Sequence, residues 1–123
     1  MSASLAADRA AIVEALTTSV TVNGEAQPLD ASPTVPAPIS AWSAWPVADG
    51  SNWINHCAAE SRWRVYVALP TGDALAAAQG FDAVHDELGP RLAALGRLDD
   101  TTPAVWPVTP QEQVPVVQIT LQI

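Results

Sequence analysis

The chain has no lysine, and its only basic residues besides two histidines are five scattered arginines: Arg9, Arg62, Arg64, Arg91 and Arg97. Set against thirteen acidic residues, they leave a formal net charge of -8. Holding a phosphate backbone takes clustered Lys and Arg that displace counterions. Composition therefore argues against a nucleic-acid-binding role, and against an anionic membrane surface on the same grounds. One cysteine, Cys57, leaves no intrachain disulfide to form and fits an intracellular product. No apolar run approaches the ~18 residues of a spanning helix. The opening "MSASLAADRAAIVEAL" lacks a basic n-region and a long apolar core, so it does not read as a signal peptide. G-x-S-x-G, P-loop and dinucleotide glycine motifs are missing too. The expectation is a protein that is not an enzyme and needs no cofactor.

What the chain does have is apolar content (49%), eleven prolines and five tryptophans in 123 residues. That length fits a single domain over 1-123, burying roughly two thirds of its unfolded surface. Ser4 is placed to cap a helix from Leu5 to about Leu16, with Leu5, Ile12, Val13 and Leu16 on one face and Asp8 near the positive end of the dipole. "SVTVNGEAQ" reads as a short β-prone piece turning at Asn-Gly. A proline-rich segment at about 26–38 follows, with Pro28, Pro33, Pro36 and Pro38. It reads as an extended surface connection, because proline fixes φ and removes a backbone donor.

"ISAWSAW" is a candidate strand that Pro46 should end, leaving "VADGSN" as a turn or loop. "ESRWRVYVALP" is the clearest strand: Trp63, Val65, Val67 and Leu69 alternate with Arg62, Arg64, Tyr66 and Ala68. A second helix should start at Thr71 or Asp73 and carry Phe81, Val84, Leu88, Leu92 and Leu95 as its apolar stripe. Gly89-Pro90 should kink or break it, since Pro90 has no N–H for the Asp86 carbonyl, and Gly96 should stop it. "PAVWPVTPQEQVPVVQITLQI" reads as two strands around a polar turn. Its Val117, Ile119, Leu121 and Ile123 alternate with Gln118, Thr120 and Gln122. The sum is an α+β fold, a mostly antiparallel β-sheet with two α-helices packed on one face.

Candidate chemistry is thin. His56-Cys57 invites a metal reading, but zinc needs about four ligands at recurring spacings and only His85 adds another nitrogen. A Cys-His nucleophile fails because neighbours in a strand point to opposite faces. Asp82 and Asp86 share a helix face at i and i+4, yet on the wet side, where nothing perturbs a carboxylate. Asp99-Asp100 reads as a loop pair that aids solubility. "WPV" occurs twice, at Trp45-Pro46-Val47 and Trp106-Pro107-Val108, and each copy reads as a strand edge. The tryptophans are harder to dismiss. Each has ~200 Å² to bury, and alternation sets Trp42 and Trp45 on opposite faces of their strand. Trp42, Trp45, Trp53, Tyr66 and Trp106 are therefore candidates for a subunit interface.

The order of elements and several phrases carry a resemblance. The helix "LAADRAAIVEAL" leads through a proline-rich run into "PAPISAWSAW", then "RWRVYVALPTGD", the helix "FDAVHDELGPRLAAL" and a closing "VPVVQITLQI". Over nearly the whole chain this pattern resembles the tail terminator proteins of long-tailed (siphovirus-type) bacteriophages, especially those of actinobacterial hosts. The resemblance implies a virion protein assembled in the host cytoplasm. It would form a homohexameric ring that caps the head-proximal end of the tail tube, stops its polymerisation and presents a surface for head joining. Implied partners are further copies of itself, the tail tube protein and a neck or head-completion protein. DNA would pass through the ring without specific binding, and no membrane is involved. The family has no compact site motif, so no catalytic, cofactor or metal residue is carried over. The alternatives are another neck protein, of the head-closure or tail-completion kind, and a small ligand-binding α+β domain. The last would gather His56, Cys57, His85 or the acidic pairs around a pocket.

Overall fold

The computed structural model describes residues 4–123. Helix α1 (Leu5–Leu16) starts at Ser4, whose Oγ accepts the Ala7 N–H at 3.1 Å, and so satisfies one of the amides that a helix start leaves without an intrahelical partner. Ile12 and Leu16 are fully buried, as the stripe requires, while Leu5 is 47% exposed. Asp8 takes the inward place that Leu5 was expected to fill. It is buried and accepts a 2.7 Å hydrogen bond from the Ser61 hydroxyl, which in turn accepts the Trp63 indole N–H at 2.8 Å.

Strands β1 (Ser19–Val22) and β2 (Glu25–Pro28) form a separate antiparallel hairpin. Asn23 and Gly24 turn it with positive φ at both positions, the conformation for which Asn-Gly is favoured in two-residue hairpins. The main sheet joins β3 (Asp30–Ala31), β4 (Ser43–Asn55), β5 (Ala58–Ala68), β6 (Arg97–Pro107) and β7 (Gln113–Gln122) in the order β3-β4-β5-β7-β6. Only the β3–β4 pairing is parallel among these residues. Between β5 and β6 lies a helical stretch: α2 (Ala74–Ala83), a π-helical turn at Val84–Leu88, and α3 (Gly89–Ala93). Asp73, not Thr71, caps it, accepting from the Leu75 and Ala76 amides.

Both helical stretches cover one face of the sheet. Ile12, Leu16, Val84, Leu88 and Leu92 meet Trp63, Val65, Val67, Val117, Ile119 and Leu121 in one core. The fold is α+β, mostly antiparallel, with its helices on one side.

Several local expectations are corrected. Pro46 does not end its strand, for β4 begins at Ser43 and runs to Asn55. The Ala44 carbonyl accepts from Ser32 on the β3 side, so Pro46, two residues on, turns its nitrogen to that same side. There β3 has already ended, and the missing donor costs no ladder bond. "VADGSN" is likewise strand, with a bulge between Ala48 and Gly50 and a φ of 115° at Gly50 that takes up the irregularity. The reversal falls later, at His56-Cys57. Asp99 and Asp100 lie within β6, beside a bulge between Leu98 and Asp100.

At Gly89-Pro90, where a kink or break was expected, the α-helix is indeed interrupted, by the π-helical turn Val84–Leu88, after which α3 resumes. The Gly89 amide bonds back five residues to the Val84 carbonyl, and Pro90 sits at the start of the next helical turn, where its absent N–H is tolerated. Gly96 closes the stretch for a reason other than a left-handed stop. A Cβ there would run into the backbone carbonyl of Gln122, so glycine is what lets the chain enter β6 against β7.

Candidate subunit interface

The candidate aromatics divide among three environments. Trp45 and Tyr66 face away from the helices and are buried with Ala68, Val114 and Val116 in a second, smaller core. Trp106 flanks them, with ring centroids 5.3 Å from Trp45 and 4.9 Å from Tyr66, both edge-on. Ile39, from the end of the proline-rich segment, packs against the same cluster. Trp45 is 0% exposed and its indole N–H has no acceptor among the described residues. It therefore has no surface to offer a partner, and Tyr66 has almost none. The reason is that this sheet is covered on both sides at this end, which alternation along one strand cannot reveal.

Trp42 does lie on the opposite face from Trp45, as expected, half-buried against the helix-side core. It adopts a φ of 70° just before β4 and donates its amide to the Ala68 carbonyl at 2.7 Å. Its indole lies against Gly80, where a Cβ would come within 3.0 Å of the ring. The small residue in α2 thus makes room for the tryptophan.

Trp53 is the one of the five that stands clear, 71% exposed. Pairing of β5 with β7 ends at Ser61, which exchanges two backbone hydrogen bonds with Ile123, whereas the β4–β5 ladder continues through Asn52–Glu60 and Trp53–Ala59 to Asn55–Ala58. The last rungs form an overhanging tip. Ile54, on its other side, is 49% exposed. His56 and Cys57 occupy the tip's turn, which the Asn55 carboxamide stabilises by accepting the Cys57 amide at 2.8 Å. Beneath Trp53 a cavity of about 70 Å³ lies between the tip and the start of α1, lined by Leu5, Asp8 and Ser61 among others.

No family model, curated protein or solved structure matches the chain.

The ionisable candidates are spread over separate elements. Asp82 and Asp86 are exposed on the helical stretch, and Asp86 contacts its neighbour His85 at 2.9 Å. Cys57 is exposed at the hairpin turn, far along the chain from His85 in the π-helical turn. Among the described residues no group of three or more His, Cys, Asp or Glu is placed to hold a metal ion. Arg64 pairs with Asp49 at 3.5 Å on the second face. A hydrogen bond to Tyr66, then the Asp49 charge, hold its pKa above the ordinary arginine value.

A further apolar feature lies at the opposite end of the sheet. A groove of about 310 Å³ opens between α2 and the β6–β7 strands, floored by Leu69, Ala77, Phe81, Pro103, Pro115 and Val116. Around that end Leu75 (66%), Val105 (55%) and Val108 (47%) are exposed. Leu75 was discoverable in the sequence, since it falls off the Phe81-Val84-Leu88 stripe. The groove itself was not, because it exists only where a helix diverges from strands about thirty residues away in the chain.

Proposed function

We propose that this chain is a structural virion subunit of the tail-terminator type. It assembles as a ring, hexameric in the family it resembles, on the head-proximal end of a phage tail tube. There it halts tube growth and presents the joining surface for the neck. The observation that supports this reading is the display of Trp53 and Ile54 on a hairpin tip that overhangs the sheet. Large apolar side chains held out on an ordered element are what a partner surface is made of. The element order of helix, proline-rich run, long hairpin, helix and terminal hairpin supports it as well.

On this reading the partners are further copies of the chain, the tail tube protein and a neck protein. The subunit is built into the virion after assembly in the host cytoplasm. A net charge of -8 keeps DNA phosphates passing through the ring from adhering to it. No helix among the described residues is long and apolar enough to cross a membrane.

Electron microscopy of purified protein mixed with purified tail tubes tests the reading directly. Rings capping one end of each tube are the expected result, and phage deleted for the gene should make overlong tails. Tails of normal length beside unjoined heads would identify a head-completion protein instead. A monomer that never associates with tubes would overturn both.

A further inference from the structure

Among the described residues, all but one of the large exposed apolar side chains gather at two poles, the exception being Val35 in the proline-rich segment. Leu5, Trp53 and Ile54 mark the hairpin end, and Leu75, Val105 and Val108 surround the groove end. From Ser61, the last residue paired with β7, to Ala68 beside the groove, β5 spans seven residue steps, or about 23 Å. A projecting knob and an open socket therefore sit at opposite ends of one rigid sheet, where they cannot meet within a subunit.

We infer that the contact between subunits is head-to-tail: Trp53 at the β4–β5 tip of one copy seats in the groove between α2 and the β6–β7 strands of the next. This deepens the ring reading and rests on it for the identity of the occupant. The groove's volume accommodates an indole, whose burial removes about 200 Å² from water. Charge does not oppose this docking. The groove is bordered by Asp82 and its lining contains no basic residue, while Asp73 and Glu112 stand at the same end, on the α2 cap and the β6–β7 turn. The hairpin end carries Arg62 and, nearer the tip, Glu60, neither in an ion pair among the described residues, so it meets the groove's acidic border with no excess of negative charge from this pair. A reciprocal two-fold pairing would lay two chains of net charge -8 along their whole length against self-repulsion. An end-to-end contact avoids that, and repeated head-to-tail contacts close into a ring.

Complementation of two defective copies tests the contact. Trp53→Asp removes the knob and leaves the socket, whereas Ala78→Arg blocks the socket and leaves the knob. Both positions are exposed, so neither change disturbs the core. By native mass spectrometry at matched concentration, with tail tubes added if the wild type requires them, the wild type should give species larger than a dimer. Each variant alone should be monomeric, and a 1:1 mixture should form heterodimers that grow no further. A mixture that stays monomeric, or a wild type that stops at a closed dimer, overturns the inference. Rings formed by either variant alone overturn it too, while leaving the terminator reading standing. A wild type that is monomeric even with tubes removes both.

A second measurement does not depend on disrupted variants. A bismaleimide should link native Cys57 at the tip to the thiol introduced by Ala78→Cys, giving a ladder of dimers, trimers and higher species. Adding Cys57→Ser should abolish that ladder. Linkage that stops at a dimer, or persists without Cys57, sinks the proposed contact.

Discussion

Trp53 and Trp63 belong to the same β-hairpin and face the same side of it, yet one is 71% exposed and the other 0%. Trp63 lies where β7 flanks β5 and α1 crosses above. Its indole N–H reaches Ser61, and the Arg9 guanidinium stacks over its ring at 5.0 Å. Trp53 sits on a rung that β7 does not flank, and there α1 has reached only its first residue, Leu5. The body of the hairpin is held by its own subunit. Its tip has the same residue type and no cover. The difference shows that the fate of a tryptophan here depends on how far neighbouring elements extend, not on the strand that carries it.

Substitutions along this hairpin sharpen the contrast. The largest effect belongs to Trp63→Ala, expected to lower subunit stability by about 3–5 kcal/mol, as for other large-to-small core changes. Urea unfolding of the dissociated subunit measures it, and a loss below about 1 kcal/mol would mean that the body is not the core. Ser61→Ala comes next. It leaves Asp8 buried without its donor and the Trp63 N–H without its acceptor, an expected loss of about 1–3 kcal/mol on the same assay. Ser4→Ala removes the α1 cap beside the tip and should cost about 1 kcal/mol. Amide hydrogen exchange at Ala7 should quicken while β5 amides keep their relative protection. Smallest in stability is Trp53→Ala, expected within about 0.5 kcal/mol of wild type. Its effect should appear instead in assembly, as loss of the blue shift in tryptophan emission when subunits associate. A wild-type shift in that variant would assign the buried indole to another position.

Much of the fold was legible because its periods are clean. The Ser4 cap, the Asn23-Gly24 turn, the alternation of β5 and β7, and the Val84-Leu88-Leu92 stripe each follow from local chemistry. Errors came where a breaker residue was read without its neighbours. Pro46 is harmless because β3 stops short of it, and Gly50 is absorbed by a bulge. Each depends on what lies beside the chain. The interface candidates divided for the same reason. Trp45 and Tyr66 are enclosed by Ile39 and Trp106 from distant segments, whereas Trp53 was left uncovered.

By itself the sequence determined the α+β class, the start of α1, the faces of β5 and β7, and an acidic, lysine-free composition. These are properties of residue type and short-range period, and no long-range contact can undo them. Tertiary structure alone decided which tryptophan is surplus and where a groove opens to receive one. Both are matters of length mismatch between elements: β4 and β5 outrun β7 at one end, and α2 diverges from β6 and β7 at the other. Such mismatches arise only when segments remote in the chain are laid side by side.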